Sequence, residues 1–206
     1  MLSMGNKNGR ASSQNKGNTG APGDEISLGQ PKTCRNCHNQ GPITASLAIS
    51  VLDASNQPVT QYHPGQAYTA SVKITATGTG LQGYGFQMIA LKDAGNTDLD
   101  GFSDMNPNNY KIATISNGRT YAEHDNISSS NTFNVKWTAP AAGTGNITFY
   151  ASGNGVNANG GTGGDGGALN SLKLTEFGTV ATEEVEKLNL PVSITPNPVT
   201  GNTFLH

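Results

Sequence analysis

The sequence predicts an all-β fold built as an antiparallel sandwich of about seven to eight strands, and three observations lead there. Tyr68, Ala70, Val72, Ile74 and Ala76 alternate with Thr69, Ser71, Lys73, Thr75 and Thr77, and Phe133, Val135 and Trp137 alternate with polar neighbours in the same way. That period of two is the mark of half-buried strands. Turn formers punctuate the chain at Asn56-Gln57-Pro58, Pro64-Gly65, Gly78-Thr79-Gly80, Asn117-Gly118 and the stretch 140–145. No helical crossover pattern lies between the strands, which disfavours a parallel sheet. Seven short strands spaced this way match a sandwich of immunoglobulin-like type.

Taken in chain order, residues 1–24 carry almost no bulky apolar side chain. They cannot offset the entropy of becoming ordered, so they are expected to form a mobile arm unless something docks them. Residues 25–42 form a loop-like segment that contains both cysteines of the chain. The sandwich itself is expected over 43–180, with strands at 45–52, 68–77, 83–92, 110–115, 132–137, 145–152 and 171–177. The Gly-rich stretch 153–167 is expected to be a loop, because its glycines have no side chains to pack. Residues 181–190 are charged and read as a linker. Pro196 and Pro198 then force extended or turn geometry on residues 191–206, which look like the first strand of a further unit cut short.

Composition excludes several functions. The 206 residues include 27 Gly, 13% are charged and the formal net charge is −2. A nucleic-acid groove needs a basic stripe that this balance does not supply. Nothing approaches 18 consecutive apolar residues, so no helical membrane span is expected. No short apolar core follows a basic start, so no signal peptide is visible. G-x-S-x-G and H-E-x-x-H are both missing and no paired carboxylates stand out, which leaves hydrolytic chemistry without support.

The sharp motif is Cys34-Arg35-Asn36-Cys37-His38. A C-x-x-C-H string is the attachment signal for a c-type haem, with two thioethers to the vinyl positions and the following histidine on the iron. The reading assigns Cys34, Cys37 and His38 to one covalent haem c per chain, with His38 as the proximal iron ligand. Two other readings stay open. A C-x-x-C redox disulfide usually opens a helix in a βαβ unit, which is not seen here. A structural zinc would need two more ligands, and only distant His63 and His124 remain.

For the sixth iron position, His124 ranks first, following the strand-like Thr120-Tyr121-Ala122-Glu123. His63 is explained by its turn, Met88 by its core parity with Phe86 and Ala90, and Met105 sits in a loop; His206 is set aside. An iron with water or nothing in that position is the alternative. The run from Asn96 to Asp104 resembles the opening of a calcium loop, but Pro107 stands where a bidentate Glu belongs, so a self-capping Asp/Asn turn explains it better. Asp165, in Gly163-Gly164-Asp165-Gly166, reads as a turn residue.

Several stretches together resemble reeler-like (choice-of-anchor type) domains in secreted proteins of the Bacteroidetes type. These are Thr19-Gly20-Ala21-Pro22-Gly23-Asp24 ahead of the cysteine motif, Tyr62-His63-Pro64-Gly65-Gln66-Ala67-Tyr68, Gly85-Phe86-Gln87, Trp137-Thr138-Ala139-Pro140, and 145–150. Glu123-His124 falls where the family shows a histidine before its tryptophan strand. The resemblance spans about 19–180 and implies an immunoglobulin-like sandwich on an exported protein. Val192-Ser193-Ile194-Thr195-Pro196-Asn197-Pro198-Val199 is similar to the start of a type IX secretion sorting domain.

The expected function is therefore an exported or cell-surface monohaem c-type cytochrome module that transfers electrons or senses redox state. Its partner is an unidentified redox protein or surface component. The competing expectation is a haem-free secreted adhesion or matrix sandwich that acts through its loops. A peroxidase is a distant third, since no distal acid–base group stands out.

Overall fold

In the computed structural model, the residues described are 7–24, 32–39, 41–103 and 109–178. The expected linker at 181–190, the sorting-domain stretch at 191–206, Met105 and His206 lie outside them. Eleven strands occur among the described residues: β1 (Thr44–Leu52), β2 (Gln61–Tyr62), β3 (Ala67–Thr77), β4 (Gly83–Lys92), β5 (Thr97–Asp98), β6 (Phe102–Ser103), β7 (Tyr110–Thr114), β8 (Thr120–His124), β9 (Thr132–Thr138), β10 (Ile147–Val156) and β11 (Gly166–Glu176). One sheet has the order β1-β3-β9-β6, and the other runs β2-β11-β10-β4-β8-β7 with β5 beside β4. All the pairings are antiparallel except the short β2–β11 contact. The all-β sandwich is as the alternation implied; of the strands beyond the seven expected, β2, β5 and β6 are two-residue pieces too short to leave a period in the sequence, and β8 is the strand-like stretch ahead of His124.

The two sheets meet over an aromatic core. Phe133, Val135 and Trp137 of β9 are fully buried, while the residues between them face outward. Phe133 stacks on Phe86 of β4 with centroids 4.2 Å apart, and Trp137 meets Phe149 of β10 edge-on at 4.9 Å. Each of these rings contributes roughly 1.5–3 kcal/mol on burial. Met88 is fully buried in this core, as its parity implied.

Strand β4 differs from β9. Phe86, Gln87, Met88, Ile89, Ala90 and Leu91 are all buried, so both of its faces are covered. The second cover is the N-terminal arm, which docks. A short helix, α1 (Arg10–Gln14), and the chain after it lay Ala11 and Ala21 against Ile89, Leu91, Ile115 and Tyr121. Small side chains suffice because polar anchors do the rest. Glu123, fully buried on β8, accepts the Ala11 and Ser12 N–H groups at 2.8 and 2.9 Å and the Gln87 amide at 3.0 Å. Asp24 accepts from Thr19, from the Tyr121 hydroxyl at 2.7 Å and from Arg119 at 3.3 Å.

The glycine-rich stretch corrects the expectation of a single loop over 153–167. β10 continues through Val156 and β11 begins at Gly166, leaving only 157–165 as loop. Gly153 faces the opposite sheet, where an added Cβ would lie 2.6 Å from Ile74 Cδ1. These glycines serve close sheet packing, which is one of the uses of glycine inside a strand.

Candidate functional site

Local geometry gathers the motif. Cys34–Asn36 form a single 3₁₀ turn, fixed at its start by the Thr33 N–H donating to Asn36 Oδ1 at 2.7 Å. The Cys34 carbonyl then accepts from the N–H groups of Cys37 and His38, at 3.2 and 3.0 Å. In such a turn, positions i, i+3 and i+4 share one side, which is where Cys34, Cys37 and His38 stand. Both cysteines are free thiols, with Cys37 exposed and Cys34 partly covered.

The turn is seated on the outer face of the larger sheet. Ser152 of β10 accepts the Cys34 N–H at 3.0 Å, and its Oγ lies 3.1 Å from Cys34 Sγ. Gly167 of β11 lies directly beneath: an added Cβ there would fall 2.7 Å from Arg35 Cα and from the His38 carbonyl oxygen. Only a glycine lets the motif backbone come this close. Burial pushes the Cys34 thiol up to about 11, with the Ser152 hydroxyl opposing the shift, so this sulfur is protonated at neutral pH.

His38 and His124 are each oriented through Nδ1. His38 Nδ1 lies 2.8 Å from Asp165 Oδ2, and the Asp165 side chain is 1% exposed. Burial holds His38 below its ordinary value despite the opposing pull of Asp165, with the Coulombic effect of His124 adding to the lowering, so its imidazole is neutral at pH 7. His124 ends β8. The β4–β8 backbone pairing stops at Gln87 and Glu123, and His124 Nδ1 takes over the Phe86 backbone, 3.1 Å from its N–H and 2.9 Å from its carbonyl. Gly85 makes room, since a Cβ there would sit 3.1 Å from the His124 ring.

All four sequence-predicted residues, Cys34, Cys37, His38 and His124, line one cavity of about 740 Å³. Its walls include Tyr84, Ile127 and Val156 from the sheet side, Arg10 and Asn18 from the arm, and residues of the 157–165 loop. The volume falls in the roughly 300–1,000 Å³ range of small-molecule and cofactor sites. The lining therefore includes two cysteines and two histidines. Among the described residues, no three His, Cys, Asp or Glu side chains are gathered closely enough to hold a bare metal ion.

The other candidates fall elsewhere. His63 stands at its turn with its ring 4.1 Å from that of Phe177, in a separate shallow cleft. Asp98 accepts the Asp100 N–H at 3.2 Å and also the Thr120 N–H, so the calcium-like run caps its own turn. Asp165 is more than the turn residue expected. One of its oxygens accepts the Asn157 N–H at 2.8 Å and the other meets His38. No sequence signal could have joined residues 127 apart.

The cavity lies on a recognisable scaffold: residues 35–153, more than half of the chain, match the Reeler domain family. The chain belongs to that family. The match takes in Cys37, His38 and His124, stops one residue short of Cys34, and does not reach Asp165. Among solved structures, the human F-spondin reeler domain is 22% identical with a TM-score of 0.44, covering 66% of this chain and 91% of that one. The Reelin-N domain of F-spondin is 21% identical with a TM-score of 0.45, covering 69% of this chain and 94% of its own. A cohesin module from a Clostridium perfringens family 33 glycoside hydrolase is 11% identical with a TM-score of 0.45, covering 65% and 96%. No curated protein matches the chain. Among the described residues of this reeler protein, no helix is long and apolar enough to cross a membrane.

Proposed function

We propose that this reeler protein is an exported or cell-surface module that carries one covalently attached haem c and serves one-electron transfer or redox sensing. The observation that carries the reading is the convergence of Cys34, Cys37 and His38 with His124 on a single cavity of about 740 Å³. The residues fit the group. Two thiols and an imidazole share one side of a turn, and a second imidazole belongs to the same cavity. Among the described residues no three such side chains gather closely enough for a bare ion, whereas the C-x-x-C-H spacing is that of haem attachment. Export is supported by the resemblance of 192–199 to a type IX sorting domain and by family membership.

In this reading Cys34 and Cys37 would hold the haem through thioethers, and His38 and His124 would be the residues available to the iron. When bound, the haem would supply a one-electron iron couple. The chain supplies the rest: Asp165 fixes the His38 plane through Nδ1, so that any bond from His38 to iron would fall to Nε2, and the Phe86 backbone fixes the plane of His124. The arm and the 157–165 loop supply part of the cavity wall.

The family match by itself favours a second reading, a haem-free adhesion or matrix module, because a sandwich accounts for residues 35–153 with no cofactor. One experiment separates the two. The full chain is exported in cells carrying c-haem maturation machinery, purified, and analysed by intact mass and by its reduced absorption spectrum. One haem per chain, lost in Cys34→Ser/Cys37→Ser, supports the cytochrome reading. A colourless protein of apo mass overturns it and leaves the adhesion module.

A further inference from the structure

We infer that Asp165 is the positioning residue of this site, holding His38 in the Nδ1–H tautomer that leaves the lone pair on Nε2 and, once haem is bound, biasing its iron toward the oxidised state. The inference deepens the haem reading and rests on it in its second half only.

The geometry is specific. The Asp165 carboxylate is almost wholly buried, and its two oxygens have different duties. Oδ1 accepts the Asn157 N–H at 2.8 Å, which fixes the carboxylate plane against the base of the loop, and Oδ2 meets His38 Nδ1 at 2.8 Å. A carboxylate oxygen can only accept, so the ring proton must sit on Nδ1. The remaining ring nitrogen, Nε2, is then the lone-pair atom. Carboxylate–imidazole–metal chains of this kind set ring orientation and raise ligand basicity. A more basic, partly anionic ligand stabilises the higher charge on iron and so lowers the reduction potential.

Neighbouring elements hold Asp165 in place from both sides. Asn157 closes the loop by donating to the Gly163 carbonyl at 3.0 Å, and β11 begins at the next residue, Gly166. The lever is therefore rigid, as an orienting group needs to be. The Gly167 seat, two residues further on, fixes the backbone of the motif turn against the same strand.

The test has two arms on the full chain. In apoprotein, ¹⁵N shifts of the His38 ring report its tautomer. Wild type is expected to show Nδ1–H, and Asp165→Ala is expected to shift toward Nε2–H, the form that free imidazole side chains prefer in water. In protein matured with haem, Asp165→Asn keeps size and the Asn157 contact but removes the charge and turns an NH2 donor toward His38 in place of the acceptor. It is expected to raise the midpoint potential at unchanged haem content, whereas Glu176→Gln, which removes a buried carboxylate from the far end of β11, is expected to leave it unmoved. A His38 tautomer that ignores Asp165 overturns the inference whatever the haem result. An unchanged potential in Asp165→Asn overturns the redox half. Wild type that takes up no haem, while its tautomer still follows Asp165, overturns the haem reading and supports the positioning role.

Discussion

Gly167→Ala tests how the motif is seated. The new methyl would lie 2.7 Å from Arg35 Cα, 2.7 Å from the His38 carbonyl oxygen and 2.8 Å from the Arg35 nitrogen. All three are main-chain atoms, so no side chain can swing aside. Ordinary contact begins near 3.4 Å, and the turn must retreat by roughly 0.7 Å, lengthening the Cys34–Ser152 hydrogen bond with it. Overpacking of this kind costs about 1–3 kcal/mol. For a chain of this size that is a drop of about 2–12 °C in Tm. Differential scanning calorimetry on the apoprotein measures it, and haem yield after maturation measures the effect on the site. Gly163→Ala is the control, since nothing lies within 4 Å of its added Cβ, and it should stay within about 0.5 kcal/mol of wild type. A Gly167→Ala protein with unchanged Tm and haem yield would show that the turn does not rest on β11 as described.

Three further outcomes follow from the same contacts. Glu123→Gln weakens the anchor of the arm, whose hydrogen bonds to a charged group contribute about 1.5–3 kcal/mol each; trypsin should then cut after Arg10 or Lys16 sooner than in wild type, while the sandwich fragment stays resistant. In apoprotein at pH 8, iodoacetamide should label exposed Cys37 well before Cys34, whose value of about 11 leaves roughly 0.1% as thiolate, and mass spectrometry of the peptides will show the order. Glu176 is held below the ordinary carboxylate value by the N–H groups of Gly145 and Gly143, each 2.7 Å away. Its stabilisation is complete above the unfolded value of 4.5 and is lost as pH falls toward the folded one. Tm plotted against pH should therefore fall more steeply below pH 4.5 in wild type than in Glu176→Gln.

Much of the scaffold was legible because strand alternation is a local property. Phe133, Val135 and Trp137 declared their buried face two residues at a time, and the observed β4 and β9 bounds fall at or close to those expected. The unbroken apolar run from Met88 to Leu91 carries a signal of its own: a strand apolar on both faces needs a second cover, which the arm provides. The arm itself gave little notice, since its own apolar groups are two alanines and its hold comes from Glu123 and Asp24, polar anchors whose partners lie far along the chain.

Local rules fix the β-sandwich and the grouping of Cys34, Cys37 and His38, because strand period and the i, i+3, i+4 spacing both act within one strand or one turn. Long-range packing alone brings His124 into their cavity, sets Asp165 against His38 and lays Gly167 under the turn. Those contacts depend on which strands become neighbours in the larger sheet, and that order is chosen by the burial of the whole core.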